Sequence, residues 1–191
     1  MLDPIGALSQ SVVAIDPGLD RVAIARFVLP DRNRRGLSVA AYWSKALPDE
    51  KACAFMDAKS FDTKPSEEIP ERLADIANWL REQLFAIRPK LILIEMPAYA
   101  STYARHMENG ARSAAAVANG QNKLYMSIGA IFAAAWSVEC AIVRAVPAQS
   151  TNKKQRLAIV EMLLKAAGKE RPKNEDQRDA VSIGLAATWD L

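Results

Sequence analysis

Four carboxylates stand where a strand or a helix would hold them still. Asp16 closes the β-branched run Val12–Ile15 and is followed at once by Pro17 and Gly18, after which a second apolar run, Val22 to Val28, begins. Alternation and β-branching predict two strands, and the Pro-Gly pair predicts the turn between them. Glu95 closes the continuous apolar run LILIE, and a carboxylate ending a buried strand is costly unless it is paired or ligated. Asp176 and Asp179 share one helix face with Ala180 and Ile183 by their three- and four-residue steps. Each acid has an ordinary reading, because Asp starts turns and acids in a first helical turn gain from the helix dipole. Gathered in one place, the four could not all stay ionised without a cation.

The donor types narrow the chemistry. One histidine, His106, and two distant cysteines, Cys53 and Cys140, leave neither a zinc set nor a disulfide framework. Ligation by oxygen alone points to Mg²⁺ or Mn²⁺. Two such ions about 4 Å apart activate water and stabilise the leaving oxygen in phosphodiester hydrolysis. Basic residues available to phosphates are Lys153, Lys154 and Arg156 at one helix start, Lys123 at another, and Arg32, Arg34 and Arg35 in the connection 29–36. Tyr99, Tyr103, Arg105 and Arg112 lie in the Ala-, Gly- and Asn-rich stretch 98–122, which suits a segment beside a site. Taken singly, these basic residues also read as solvated loop and helix-start charges.

The elements that must position the acids follow from periodicity. A third strand is predicted over Leu37–Trp43, giving an antiparallel meander with the first two. Residues 44–68 lack clear periodicity and read as a long excursion with a short helix near Glu50–Ala58. From Pro70, residues Leu73, Ile76, Leu80, Leu84 and Ile87 recur at helical steps until Pro89. Leu91–Glu95 is then a central parallel strand. A weak helix over Ala111–Ala118, a helix over Lys123–Val138, a strand over Cys140–Val146, and helices over Lys153–Ala167 and Glu175–Thr188 complete the order. This pattern predicts an α/β domain: a mixed five-stranded sheet, three antiparallel strands plus two parallel ones, flanked by helices on both faces. Right-handed crossovers place the fourth strand beside the first, and so Glu95 beside Asp16.

Bulk properties set outer bounds. The 191 residues, half of them hydrophobic and a quarter charged, suit one domain over 1–191 with additions at about 44–68 and 98–122. A net charge of +3 permits a polyanionic partner without demanding one. No apolar run approaches the roughly 20 residues of a membrane span, and the N-terminal residues lack a signal peptide's basic start. A reduced, cytoplasmic compartment is the default expectation.

The motifs IDPG after a β run, IE at the end of a second apolar strand, VPAQS followed by KKQRLAIVEML, and DQRDAVSIGLA near the end occur in this order. Together they resemble RuvC-type Holliday junction resolvases, of the retroviral-integrase-like group with the RNase H fold. The resemblance runs from Val12 to Thr188. It implies an RNase H-like sheet and makes Asp16, Glu95, Asp176 and Asp179 an acidic metal-binding tetrad. Lys154 would face the scissile phosphate, and Tyr99, with Tyr103 second, would wedge into the junction. It also implies a homodimer, with the small-residue helix Lys123–Val138 as its face, and a branch-migration helicase partner of unknown identity. Val22, Ala23 and Ala25 stand where the family has Thr and Gly. The link from Val146 to the basic helix is short and lacks a lysine-bearing loop. The additions at 44–68 and 98–122 are sizeable. These departures imply a divergent member, of phage or mobile-element type. The expectation is a Mg²⁺- or Mn²⁺-dependent endonuclease cutting four-way DNA junctions. Its rivals are a nuclease for flaps, forks or RNA–DNA hybrids, and a non-catalytic junction-binding module.

Overall fold

The computed structural model describes residues 10–29, 37–96, 111–138, 142–147 and 152–187, with the backbone alone over most of 111–121. Five strands form one sheet: β1 (Gln10–Asp16), β2 (Arg21–Leu29), β3 (Phe55–Asp62), β4 (Leu91–Met96) and β5 (Val143–Pro147). Their order is β3-β2-β1-β4-β5. β1 pairs with β2 and β2 with β3 antiparallel, whereas β1–β4 and β4–β5 are parallel. Among the described residues six helices accompany them: α1 (Val39–Lys45), α2 (Pro48–Ala54), α3 (Ile69–Ile87), α4 (Ala111–Trp136), α5 (Lys153–Ala166) and α6 (Glu175–Ala186). The expected mixed sheet, with its fourth strand beside the first, is what the chain forms.

One strand is not where periodicity put it. Leu37–Trp43, predicted as the third strand, begins α1 instead, and the third strand is Phe55–Asp62. The local cause is a cap: the Ser38 hydroxyl accepts from the Ala41 amide at 3.2 Å, and Ala-Ala-Tyr-Trp continues helically with Trp43 buried. β3 escaped notice because it is an edge strand carrying Asp57, Lys59 and Asp62, which blurs its apolar alternation. The short helix expected near Glu50–Ala58 is α2, opened by Pro48 and ended before Phe55. Ala111–Ala118 and Lys123–Val138, read as two helices, join into the single α4. Residues 44–68 thus furnish all of α2 and all of β3.

Strand alternation divides the core into two layers. Val13, Ile15, Val22, Ile24, Ile92 and Ile94 pack against α3 and α4 through Ile76, Leu80, Leu84, Ile128 and Ile131. On the other face Val12, Ala14, Ala23, Ala25, Phe27, Leu91 and Leu93 meet Ala180, Val181, Ile183 and Leu185 of α6 and Val160 and Leu164 of α5. The alanines on this second face let α6 lie close to the sheet. Its Gly184 sits so near that an added Cβ would stand 2.4 Å from Cε2 and Cζ of Phe27.

A buried lysine closes this layer. Lys51 is fully buried, donates to the carbonyls of Ala187 at 2.9 Å and Leu185 at 3.4 Å, and lies 5.3 Å from the centre of the Trp43 ring. Burial pushes its pKa down from 10.5 to about 8. The unfolded chain therefore holds this proton through a pH window in which the folded chain has released it, so stability rises from about pH 8 to about 10.5. The full gain is at most about 3 kcal/mol. Urea midpoints across that window, taken as the difference between the natural chain and Lys51→Met, should show the rise in the former alone.

Candidate active site

The alternation that builds the second layer also aims the acids. Asp16 follows Ala14 by two residues and Glu95 follows Leu93 by two, so both sit on the α6 face. The parallel pairing of β1 with β4 runs to Ile15–Ile94, one step short of the two carboxylates, and adjacent strands lie about 5 Å apart. α6 starts at this same end of the sheet. Its N-cap Asn174 accepts from the Gln177 amide at 2.9 Å, and Lys173 donates its amide to the Gln177 side chain at 2.8 Å. Both side chains also donate to the Ser60 hydroxyl of β3, at 2.9 Å from Asn174 and 3.2 Å from Gln177. The start of α6, which carries Asp176 in its first turn and Asp179 in its second, is thereby tied to the sheet.

The turn after Asp16 is fixed from three sides. Gly18 is required there, since a Cβ would stand 2.2 Å from the Arg21 carbonyl oxygen. Ser127 of α4 donates to the Gly18 carbonyl at 3.1 Å. Thr63 donates its hydroxyl to the Leu19 carbonyl at 2.7 Å, and the buried Arg72 of α3 reaches that carbonyl at 3.1 Å, Thr63 at 2.9 Å and the Asp20 carboxylate. Asp16 is therefore held on a turn that cannot drift.

The four acids act on one another. The Asp16 carboxyl is raised from 3.8 to about 8, first by burial and then by the nearby charges of Asp179, Glu95 and Asp176, with Lys153 opposing. Carboxylates from β1, β4 and α6 thus crowd one end of the sheet. Their counter-charges are side chains. Asp179, almost wholly buried, accepts from Lys153 at 2.8 Å and Arg156 at 2.9 Å, and Lys153 also reaches Glu175 at 2.6 Å. Asp176 accepts from Arg21 at 2.9 Å. Among the described residues no three acids are already drawn together as a ready ligand set. The donor chemistry fits a hard cation: the acids are oxygen-only donors, and Asp16, disfavoured as an anion by burial and then by its acidic neighbours, would regain its charge beside one. Asp16, Glu95, Asp176 and Asp179 are the residues available to hold one.

The remaining sequence-derived residues are placed unevenly. Lys153 is the lysine on the acids, whereas Lys154 is exposed and its amide is capped by Asn152 at 3.0 Å. Arg156, expected to meet phosphate, spends its guanidinium on Asp179. Lys123 is half-buried on α4. Arg32, Arg34, Arg35, Tyr99, Tyr103 and Arg105 lie outside the described residues, as does the side chain of Arg112. Arg21 was missed by sequence reasoning. Its signal was available, since period two from Ala23 and Ala25 puts Arg21 on the face that carries Asp16.

No protein-family model matches the chain, and no curated protein matches it by sequence. Solved structures do match in three dimensions. RuvC of Thermus thermophilus is 20% identical over 92% of each chain, with a TM-score of 0.60. The same organism's RuvC in complex with a Holliday junction substrate gives 20% identity, a TM-score of 0.59, and coverage of 92% of this chain and 90% of that one. The yeast mitochondrial Holliday junction resolvase Ydc2 is 12% identical, covering 93% of this chain and 78% of that one, with a TM-score of 0.54. The fold is that of a RuvC-type resolvase. Within this RuvC-type fold the four acids occupy the carboxyl ends of β1 and β4 and the first turns of α6, where an open α/β sheet places its site. No described helix is long and apolar enough to cross a membrane.

Proposed function

We propose that this chain is a divalent-metal-dependent endonuclease that resolves four-way DNA junctions by phosphodiester hydrolysis. The observation that carries the reading is the placement of Asp16 at a buried strand end beside Asp179, Glu95 and Asp176, where burial first and then those three charges raise its carboxyl to about 8. The likeness in fold to RuvC, one of whose structures holds a Holliday junction substrate, supports branched DNA as the substrate class. Asp16, Glu95, Asp176 and Asp179 would hold Mg²⁺ or Mn²⁺, which would supply charge neutralisation and water activation for phosphodiester hydrolysis. Asp16 and Glu95 hold their oxygens on rigid strand ends, and Asp176 and Asp179 hold theirs on α6. Lys153 stands ready to exchange Asp179 for a phosphate, with the exposed Lys154 beside it as a second contact. Arg32, Arg34, Arg35, Tyr99, Tyr103, Arg105, Arg112 and Lys123 are assigned to the DNA surface. The chain acts as a homodimer of single domains that makes paired nicks.

The test is cleavage of a labelled synthetic junction with Mg²⁺ or Mn²⁺ present. Glu95→Gln and Asp179→Asn should each slow cutting on the order of 1,000-fold, the loss of several kcal/mol of transition-state stabilisation. Cutting at full rate by both variants would refute the site. Flaps, forks and RNA–DNA hybrids at the same salt distinguish junction preference from a broader nuclease, since phosphate contacts dominate binding strength.

A second reading is a junction-binding module without catalysis. It is favoured by one observation, that Lys153, Arg156 and Arg21 already serve as counter-charges to Asp179 and Asp176. A Mn²⁺-dependent rise in melting temperature that disappears in the Asp179→Asn chain excludes it.

A further inference from the structure

Arg21 and Asp62 are direct register partners at the ends of β2 and β3. Both belong to the α6 face of the sheet. The Arg21 guanidinium uses two of its edges: Nε donates to Asp62 Oδ1, and Nη1 donates to Asp176 Oδ2 at 2.9 Å. A planar fork held at both edges has one orientation, which a lysine on a flexible stem would not keep. The bridge is too open to matter much for global stability. Side-chain exposures are 39% for Arg21, 64% for Asp62 and 32% for Asp176, and exposed ion pairs contribute little. What the bridge fixes is the direction of one carboxylate.

We propose that Arg21, anchored by Asp62, is a positioning residue that sets the affinity of the acidic site for its divalent cation by orienting Asp176. This inference rests on the nuclease reading above. Arg21 engages one carboxylate oxygen and leaves the second for a cation, the arrangement in which outer partners hold a ligating group in place. Because Asp62 balances its charge, Arg21 adds orientation without adding net repulsion toward the cation. If charge were the whole of its effect, removing Arg21 would strengthen cation binding. The geometry gives the opposite sign.

The experiment is titration of the full chain with Mn²⁺ alone, followed by calorimetry and by the electron paramagnetic resonance of free Mn²⁺, with melting temperatures taken in parallel. Arg21→Ala should weaken Mn²⁺ binding about 10- to 100-fold, with little change in the metal-free melting temperature. Arg21→Lys should remain weakened, since it restores charge without the fork. Asp62→Asn, which keeps Arg21 and releases its anchor, should weaken binding to a smaller extent, and it carries the test should the alanine variant lose its fold. Unchanged or tighter Mn²⁺ binding in Arg21→Ala, or in Asp62→Asn where that variant stands in, overturns the proposal while leaving the nuclease reading in place. Absence of Mn²⁺ binding by the natural chain overturns both.

Discussion

Asp16→Asn is expected to slow junction cleavage on the order of 1,000-fold while leaving the metal-free protein as stable as the natural chain, or more so by about 1 kcal/mol. The two halves have one cause. Asp16 sits where burial and three neighbouring carboxylates disfavour its charge, so an amide of the same shape relieves repulsion in the absence of a cation. The same amide removes the anionic oxygen that ligation needs. The side chain projects from a strand paired on both sides and from a turn held by Ser127, Thr63 and Arg72, so the backbone has no reason to respond. Circular dichroism melts in EDTA, beside cleavage assays in Mn²⁺, measure both halves. A fall of more than a few degrees in EDTA, or cleavage at the natural rate, contradicts the assignment of Asp16 to a cation site.

Gly184→Ala should destabilise the chain by about 2 kcal/mol, in the range for overpacked cores. Helix propensity alone predicts the reverse, a gain of about 1 kcal/mol for alanine over glycine in a helix interior. Contact decides the sign. The new methyl would meet the Phe27 ring at 2.4 Å, and Phe27 has nowhere to go, being fully buried and set edge-on against Trp43 and Phe55 with ring centres 5.1 and 5.7 Å away. α6 must then lift from the sheet, carrying Asp176 and Asp179 with it. Cleavage should fall together with stability. A melting temperature equal to or above that of the natural chain would mean that α6 does not lie against Phe27 as described. At this chain length the expected drop is roughly 4 to 8 °C.

The placement of the four acids on strand ends and on one helix was legible because rigid elements announce themselves locally. Asp16 and Glu95 each end an uninterrupted apolar run, and Asp176 and Asp179 lie on a face whose continuation is apolar. The sheet order followed from handedness once the strands were known. β3 was not legible, because an edge strand needs charges and so hides its period behind Asp57, Lys59 and Asp62. Leu37–Trp43 failed for the converse reason: its apolar content suits either element, and the decision falls to one capping hydroxyl on Ser38. Lys153 and Lys154 differ by one position, or about a quarter turn of helix. Only the Asn152 cap and the seating of α5 choose which faces Asp179. The face of Arg21 was legible from the strand period, but its role was not, since that depends on Asp62, 41 residues away, and on Asp176, 155 residues away.

The stretch 44–68, which reads as an excursion, works as a clasp on the last helix. Lys51 grips the carbonyls of Leu185 and Ala187 at one end of α6, and Ser60 grips Asn174 and Gln177 at the other. Two acids of the site therefore owe their placement to residues more than a hundred positions earlier in the chain. Trimming this stretch to a bare turn would unfasten the helix at both ends, so pruning here and keeping a working acid cluster are incompatible.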